Sequence, residues 1–277
     1  ARSDPPAWSE RDLKRNRWLG CQAVPKTDCR IRFRPDPSAI SLDLPAQREA
    51  VLVSVTPVTR DISEIVLDVP GADAFRPGQY ALLSTPEIEG GRPYSMSNLS
   101  GERGIWRFLI KHMPGGAFTG HLFDTAEPGD TLRLDGPYGT AWLRDDCDRD
   151  LVLLGGGSGL SPMVSIARGA LAAGLLDRVK LHFFYGGRAQ PDLFDVHTVL
   201  GPDLADKVSF VPALSAPESG WTGATGLLPD VARATLGDAL SEARLYFAGP
   251  AAMAQAVQMM AHEGGVPPDR MHFDEFY

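Results

Sequence analysis

The chain has 277 residues, 43% of them hydrophobic and 22% charged, a length that allows two cores and a composition near the average for globular proteins. Its formal net charge of −8 excludes a general nucleic-acid binder, and no apolar run approaches the roughly 20 residues that cross a bilayer. Cys21, Cys29 and Cys147 are too few and too scattered for a disulfide framework, and residues 1–17 carry no charged-then-apolar leader. A soluble cytoplasmic protein whose partners are small molecules or proteins is expected, with no direct nucleic-acid or membrane contact.

In chain order, residues 1–20 are polar and basic, with Arg11, Lys14, Arg15 and Arg17 interrupted by Trp18 and Leu19, and cannot build a core alone. Arg34-Pro-Asp-Pro-Ser38 reads as a linker, because each proline fixes its own φ and pushes the preceding residue away from helix. A boundary near residue 45 follows, and residues 1–47 are assigned to tail and linker. From Ala50 to Leu143, runs rich in valine, isoleucine and leucine are punctuated by glycine and proline: Val51–Val55, Glu64–Val69, Tyr80–Ser84, Trp106–Lys111 and Thr131–Leu134. They predict an antiparallel barrel over 48–145. The charged run Asp145–Asp150 reads as a solvated turn, after which the pattern changes. Strands at Leu151–Leu154, Lys180–Tyr185, Lys207–Val211 and Arg244–Ala248 alternate with helices at Ser161–Ala173, Leu228–Thr235 and Ala251–His262. That alternation predicts a parallel α/β sheet over 146–277.

Two segments carry chemistry. Leu151-Val-Leu-Leu-Gly-Gly-Gly-Ser-Gly-Leu-Ser-Pro162 is a strand, a glycine turn and a helix start, with Pro162 suited to a first helical turn. Such a turn offers backbone N–H groups and the positive end of a helix to a pyrophosphate. A glycine turn that only permits tight strand–helix packing would look the same, and the G-x-G-x-x-G spacing is not strictly met. Arg92-Pro-Tyr-Ser-Met-Ser-Asn98 follows a turn at Glu87-Ile-Glu-Gly-Gly91 and is expected to be extended, with Arg92 and Tyr94 on one side. A guanidinium suits a pyrophosphate, an aromatic ring can stack on an isoalloxazine, and a serine hydroxyl can reach a ring nitrogen.

These residues resemble the R-x-Y-S flavin motif of the ferredoxin–NADP reductase superfamily, and the resemblance extends over residues 48–277. Phe75-Arg-Pro-Gly-Gln-Tyr80 is similar to that family's strand entry, Ile110–Thr119 to the segment that holds the flavin pyrophosphate, and Asp135-Gly-Pro-Tyr-Gly139 to the turn between the two domains. The resemblance implies a six-stranded antiparallel flavin-binding β-barrel followed by an NAD(P)H-binding α/β domain. It implies FAD contacts from Arg92, Tyr94, Ser95, Ile110, Lys111, Gly116, Phe118 and Thr119, although Tyr94 and Phe118 could also be core aromatics. Gly155, Gly156, Gly157, Gly159, Ser161 and Pro162 match the element over which the nicotinamide nucleotide lies. Arg188, closing a strand, can meet a ribose or a 2′-phosphate. Asp192 and Asp195 follow it and the next basic residue is Lys207, so no cationic pair is expected and NADH is favoured over NADPH.

Tyr246-Phe-Ala-Gly-Pro-Ala-Ala-Met253 resembles the family's C-G-P-x-x-M element, with Gly249, Pro250 and Met253 in place and Ala248 where the family has a cysteine beside the nicotinamide. Loss of the thiol is expected to alter nicotinamide packing and slow hydride transfer. His272-Phe-Asp-Glu-Phe-Tyr277 resembles the C-terminal element that sets a carboxylate, Asp274, near the flavin and an aromatic ring, Phe276, over it; Phe273 and Phe276 could also simply pack the last strand. Ser95 and Asp274 are expected to tune flavin protonation and polarity.

Asn16–Pro25 and Asp28–Phe33 look like the end of a plant-type [2Fe–2S] ferredoxin domain, with Cys21 as its fourth ligand; the earlier C-x4-C-x2-C loop is absent, and Cys29 and Cys147 read as ordinary thiols. The intact protein is therefore expected to resemble the ferredoxin-fused reductases of aromatic-ring-hydroxylating oxygenases, taking hydride from NADH to FAD and passing single electrons to a [2Fe–2S] centre, a ferredoxin or an oxygenase component. The competing expectation, kept open by Ala248, is a redox-sensing regulatory flavoprotein acting through a protein partner.

Overall fold

A computed structural model describes Lys14 and residues 25–30, 44–71, 74–101, 104–146 and 148–274. Residues 1–40 form one compact unit and 41–277 another. In the first, Cys29 is an exposed free thiol. Cys21, Cys147 and Phe276 lie outside the described residues, as do most of the basic tail and the diproline linker.

The second unit begins with a sheet of β1 (Ala46–Pro57), β2 (Ile62–Asp68), β3 (Tyr80–Thr85), β4 (Ile88–Ser95), β5 (Ile105–Lys111) and β6 (Thr131–Tyr138). The order is β4-β3-β6-β1-β2-β5, and the pairings are antiparallel. Period-two alternation gives the sheet an apolar inner face: Ala50 and Leu52 are buried while Val51 and Val53 face outward, and Ile65, Leu67, Trp106, Phe108, Leu132 and Leu134 meet inside. A bridge between Met96 and Phe108 joins the two ends, so the sheet closes into a half-barrel. Pro93 is tolerated because β4 is an edge strand. The turn expected at Glu87–Gly91 is mostly strand: β4 starts at Ile88, and Gly90, at φ +82, with a register shift between Leu83 and Thr85, accommodates the bend. A helix that the sequence patterns did not suggest, α1 (Ala117–Asp124), follows the glycine pair Gly115-Gly116.

The remainder is a parallel sheet of β7 (Leu151–Gly156), β8 (Leu181–Gly187), β9 (Val208–Leu214), β10 (Ala224–Thr225), β11 (Arg244–Ala248) and β12 (Met271–Phe273) in the order β10-β9-β8-β7-β11-β12. Its helices are α2 (Leu160–Ala172), α3 (Val196–Leu200), α4 (Pro202–Ala205), α5 (Leu228–Leu236) and α6 (Ala251–Glu263). In β7, Leu151 and Leu153 enter the core on one face, and Val152 and Leu154 the core on the other. The first of these cores takes Ile62, Leu109 and Leu143 from the barrel side, so the two sheets share a dry seam. At about 2 kcal/mol per buried aliphatic side chain, that seam outweighs the partly exposed Arg60–Asp192 ion pair across the same boundary, about 0–1 kcal/mol. Among the described residues no helix is long and apolar enough to cross a membrane.

The topology positions a site. From β7 the chain steps outward through β8, β9 and β10, then returns to the other side of β7 to form β11. The carboxyl ends of β7 and β11, at Gly155-Gly156 and Ala248, therefore lie side by side at a switch point, where open α/β sheets place ligands.

Candidate functional site

A cleft of about 570 Å³ opens there. The barrel contributes Arg60, Tyr94, Ser95 and Lys111 to its walls; the α/β sheet contributes Gly156, Gly157, Gly159, Pro162, Arg188, Asp192, Ala248, Gly249, Pro250 and Met253. Gly155 lies just behind, with Met163 and Tyr185 against it.

The glycines are used in different ways. A methyl group on Gly159 would fall 1.9 Å from the Ala248 carbonyl oxygen, so this glycine lets the β7 turn lie against the end of β11. One on Gly156 would fall 2.7 Å from the Met253 sulfur, so Met253 packs on the turn from below. Gly157 has φ +57, and a methyl there would meet only the Lys111 side chain, at 3.7 Å. Its open side is therefore room at the cleft. The Tyr185 hydroxyl, whose pKa burial pushes up, donates to the Gly157 carbonyl at 3.4 Å and props the turn. No side chain caps the start of α2. Close backbone, an open glycine face and the positive end of a 13-residue helix fit a pyrophosphate.

On the barrel wall Tyr94 stacks on Phe118, with centroids 5.6 Å apart and rings inclined by 27°. Burial pushes the Tyr94 phenol up to about 12, against the opposing charge of Arg92, so the ring stays neutral at any physiological pH. A neutral half-buried ring on the cleft wall, backed by a second ring, fits a planar isoalloxazine. Phe118 itself is 2% exposed and belongs to the barrel core.

Other expected flavin residues sit differently. The Ile110 side chain is fully buried in the barrel core, which leaves only its backbone to meet a ligand. The Thr119 hydroxyl accepts from the Met113 N–H at 3.2 Å and lies 3.3 and 3.4 Å from the Met113 and Gly116 carbonyls, so it closes its own loop. A methyl on Gly116 would fall 2.7 Å from that hydroxyl, and so this glycine shapes the same turn. Arg92 is exposed, donates to the Gly90 carbonyl at 2.8 Å and is not among the residues that line the cleft. The Lys111 ammonium pairs with Asp61 at 3.0 Å.

Asp274 follows β12 and lies against the Gly139 turn, where a methyl on Gly139 would fall 2.7 Å from its Oδ2. Burial lifts its carboxyl to about 6, opposed by a hydrogen bond from the Thr140 backbone. The stacked pair of Phe247 and Phe273, 4.5 Å between centroids, matches the packing alternative for Phe273.

At the far end of the cleft, the expectation of no second cation near Arg188 fails because Arg60 arrives from the β1–β2 turn. Arg60 Nη2 meets Asp192 Oδ1 at 2.6 Å, an ion pair without hydrogen-bond alignment. Asp192 Oδ2 accepts the backbone N–H groups of Arg188 and Ala189 at 2.7 and 3.1 Å. One carboxylate thus holds the loop and neutralises the extra arginine. Nothing local to Arg188 announces Arg60, which lies some 130 residues earlier.

The sequence matches the Oxidoreductase FAD-binding domain family over residues 49–142 and the Oxidoreductase NAD-binding domain family over residues 153–259. It is 37% identical to Ferredoxin–NAD(P)(+) reductase CarAd of Metapseudomonas resinovorans over 281 residues, covering 99% of this chain and 83% of that protein. The chain belongs to the ferredoxin–NADP reductase superfamily. This reductase is also 35% identical to the ferredoxin–NAD(+) reductase component of the alkene monooxygenase system of Xanthobacter autotrophicus, covering 99% of this chain and 83% of the relative. Its fold superposes on the ferredoxin reductase in carbazole 1,9a-dioxygenase with a TM-score of 0.84 at 32% identity, covering 94% of this chain and 78% of the other. The reductase is an oxidoreductase with an FAD-binding and an NAD-binding domain. The regulatory alternative draws no support from these relatives, which are named as reductases.

Proposed function

We propose that this cytoplasmic reductase takes reducing equivalents from NADH into bound FAD and hands single electrons to a [2Fe–2S] centre or ferredoxin that serves an oxygenase. The observation that carries the reading is that the strand bearing Tyr94 and Ser95 and the turn Gly156–Gly159 line one cleft together. Bound FAD accepts two electrons together as hydride and releases them singly, which matches a two-electron donor to a one-electron acceptor. The choice of acceptor is supported by the relatives, one named as the ferredoxin reductase component of an alkene monooxygenase system and one as the ferredoxin reductase in carbazole 1,9a-dioxygenase.

In this reading Tyr94 covers one face of the flavin and Ser95 presents its hydroxyl to the ring edge. Arg92 and the backbone of Ile110, Lys111 and Gly116 hold the flavin phosphates, with Phe118 and Thr119 shaping that wall. Gly155 to Gly159 and Pro162 seat the dinucleotide, while Gly249, Pro250 and Met253 floor the nicotinamide end. Ala248 closes that floor where a thiol would stand, and Asp274, with Phe276 as the resemblance implies, would serve the flavin. Cys21 is the fourth cluster ligand wherever three further cysteines precede it. Anaerobic mixing with NADH and then with a [2Fe–2S] ferredoxin tests the exit route: the ferredoxin should be reduced within the turnover time, and a flavin that is bleached but stays reduced beside oxidised ferredoxin would contradict it.

NADH is proposed over NADPH because the Asp192 carboxylate stands beside Arg188 in the cleft and already engages Arg60, which disfavours a 2′-phosphate there. Asp192→Asn keeps an acceptor for the loop N–H groups, removes the negative charge and frees Arg60. The NADPH-to-NADH ratio of kcat/KM should rise about tenfold, the equivalent of about 1.4 kcal/mol. An unchanged ratio would place the 2′ position elsewhere.

A further inference from the structure

Ser161 stands on the first turn of α2, two residues past Gly159, and is 2% exposed. Its hydroxyl donates to the Ser95 carbonyl at 2.6 Å and accepts the Leu109 N–H at 3.0 Å. Those two backbone groups flank the Met96–Phe108 bridge where the barrel sheet closes. One buried hydroxyl from the nucleotide domain is therefore set into the closing seam of the barrel. Two later residues on the same helix face also bind the barrel: Ser165 donates to the Asn98 carbonyl at 2.9 Å and Arg168 to the Ser97 carbonyl at 3.0 Å. Both fasten backbone beyond Ser95. Ser161 differs in gripping the residue that lines the cleft from the helix that begins on the glycine turn.

We propose that Ser161 is a positioning residue that sets the spacing between the flavin strand and the nicotinamide turn. The inference rests on the flavin–nicotinamide reading above and adds a residue to it. Ser95 ends β4 of the barrel sheet and Gly159 lies on the turn after β7, and the apolar seam that joins the two sheets is non-directional. A hydroxyl engaged on both sides is directional, so it fixes the backbone of Ser95 relative to the turn. Removing it leaves a buried carbonyl and a buried N–H to find other partners, which a shift of the strand or an entering water would supply. Misplacement on the order of 1 Å between reacting groups can slow a reaction about 100-fold, so a few tenths of an ångström should be measurable.

The test uses the full chain loaded with FAD, as wild type, Ser161→Ala, Ser161→Cys and Ser165→Ala. Three quantities are followed: the limiting rate of flavin bleaching and its half-saturating NADH concentration, the long-wavelength absorbance of nicotinamide stacked on flavin, and hydrogen exchange of the Leu109 amide. Ser161→Ala should lower the limiting rate about tenfold while half-saturation moves less than about threefold, weaken the long-wavelength absorbance and speed Leu109 exchange. Ser161→Cys, a weaker donor with a longer reach, should fall between, and carries the same comparison if the alanine variant does not hold FAD. Ser165→Ala loses a similar bond one turn later and should bleach at the wild-type rate. Wild-type bleaching in Ser161→Ala despite faster Leu109 exchange would overturn the proposal, as would equal slowing by Ser165→Ala. A wild-type protein that NADH does not bleach would overturn the underlying flavin–nicotinamide reading instead, and this inference with it.

Discussion

Gly159→Ala is expected to destabilise the protein by about 3 kcal/mol or more and to abolish nucleotide binding, the largest effect of any single methyl group near the cleft. Gly159 has φ −61 and ψ −9, a conformation open to any residue, and alanine at a helix start would ordinarily be neutral or favourable. The penalty is therefore steric: the new carbon would lie 1.9 Å from the Ala248 oxygen and 2.8 Å from the Gly249 nitrogen, backbone atoms that cannot swing aside. Relief requires moving the β7 turn off the end of β11, which opens the switch point. Gly157→Ala is the matched control, because its cost is the left-handed backbone, φ +57, at about 1–2 kcal/mol, with its methyl reaching only Lys111. Urea unfolding of the two variants checks the pair. Equal stability losses would show that the close approach of Gly159 to Ala248 is not what holds the turn.

The second large effect is a hidden pair of opposing pH dependences at the C-terminal strand. The raised carboxyl of Asp274, about 6, gives stability that is fully present below the unfolded value of 3.8 and lost as pH rises through 6. The lowered imidazole of His272, about 4, gives stability that is present above 6.5 and lost as pH falls through 4. Burial drives both, and His272 is held neutral as an acceptor for Arg244 Nη1 at 3.0 Å. Each spans about 2–3 kcal/mol, somewhat less for the more accessible imidazole, so between pH 4 and 6 they largely cancel. Asp274→Asn, compared with wild type at each pH, should gain about 3 kcal/mol more at pH 8 than at pH 4, roughly 6 °C or more in Tm. His272→Gln should show the opposite trend. Parallel Tm curves for wild type and both variants would mean that neither group is desolvated as described.

The ladder of strands was legible because short runs rich in valine, isoleucine and leucine, such as Val51–Val55, were punctuated by glycine and proline, and the unbroken Leu151–Leu154 run marked a buried strand. Which face of β1 turns inward was not legible, because Ala50–Val53 is apolar throughout and only its burial alternates. The turn expected at Glu87–Gly91 failed because glycine was read as a breaker, whereas an edge strand absorbs glycine at a bulge. α1 was missed because a single eight-residue helix after two glycines has too few turns to show a period. Within the site, motif residues contiguous in sequence, Tyr94, Ser95 and the glycine turn, line one cleft. Residues brought by tertiary contact were invisible: Arg60 reaches Asp192 across the boundary between the sheets, and Ser161 reads as part of a phosphate turn although its hydroxyl faces the barrel. Phe118 and Thr119 carry the right residue types, yet packing and loop closure already account for both side chains.

The most direct measurement is an anaerobic titration of the FAD-loaded protein with NADH, followed at the flavin absorbance maximum. Tyr94, Ser95 and the turn Gly156–Gly159 lining one cleft together predict complete bleaching at one NADH per flavin, within milliseconds to seconds of mixing. A flavin spectrum that NADH leaves unchanged, in protein that has retained its FAD, would contradict it.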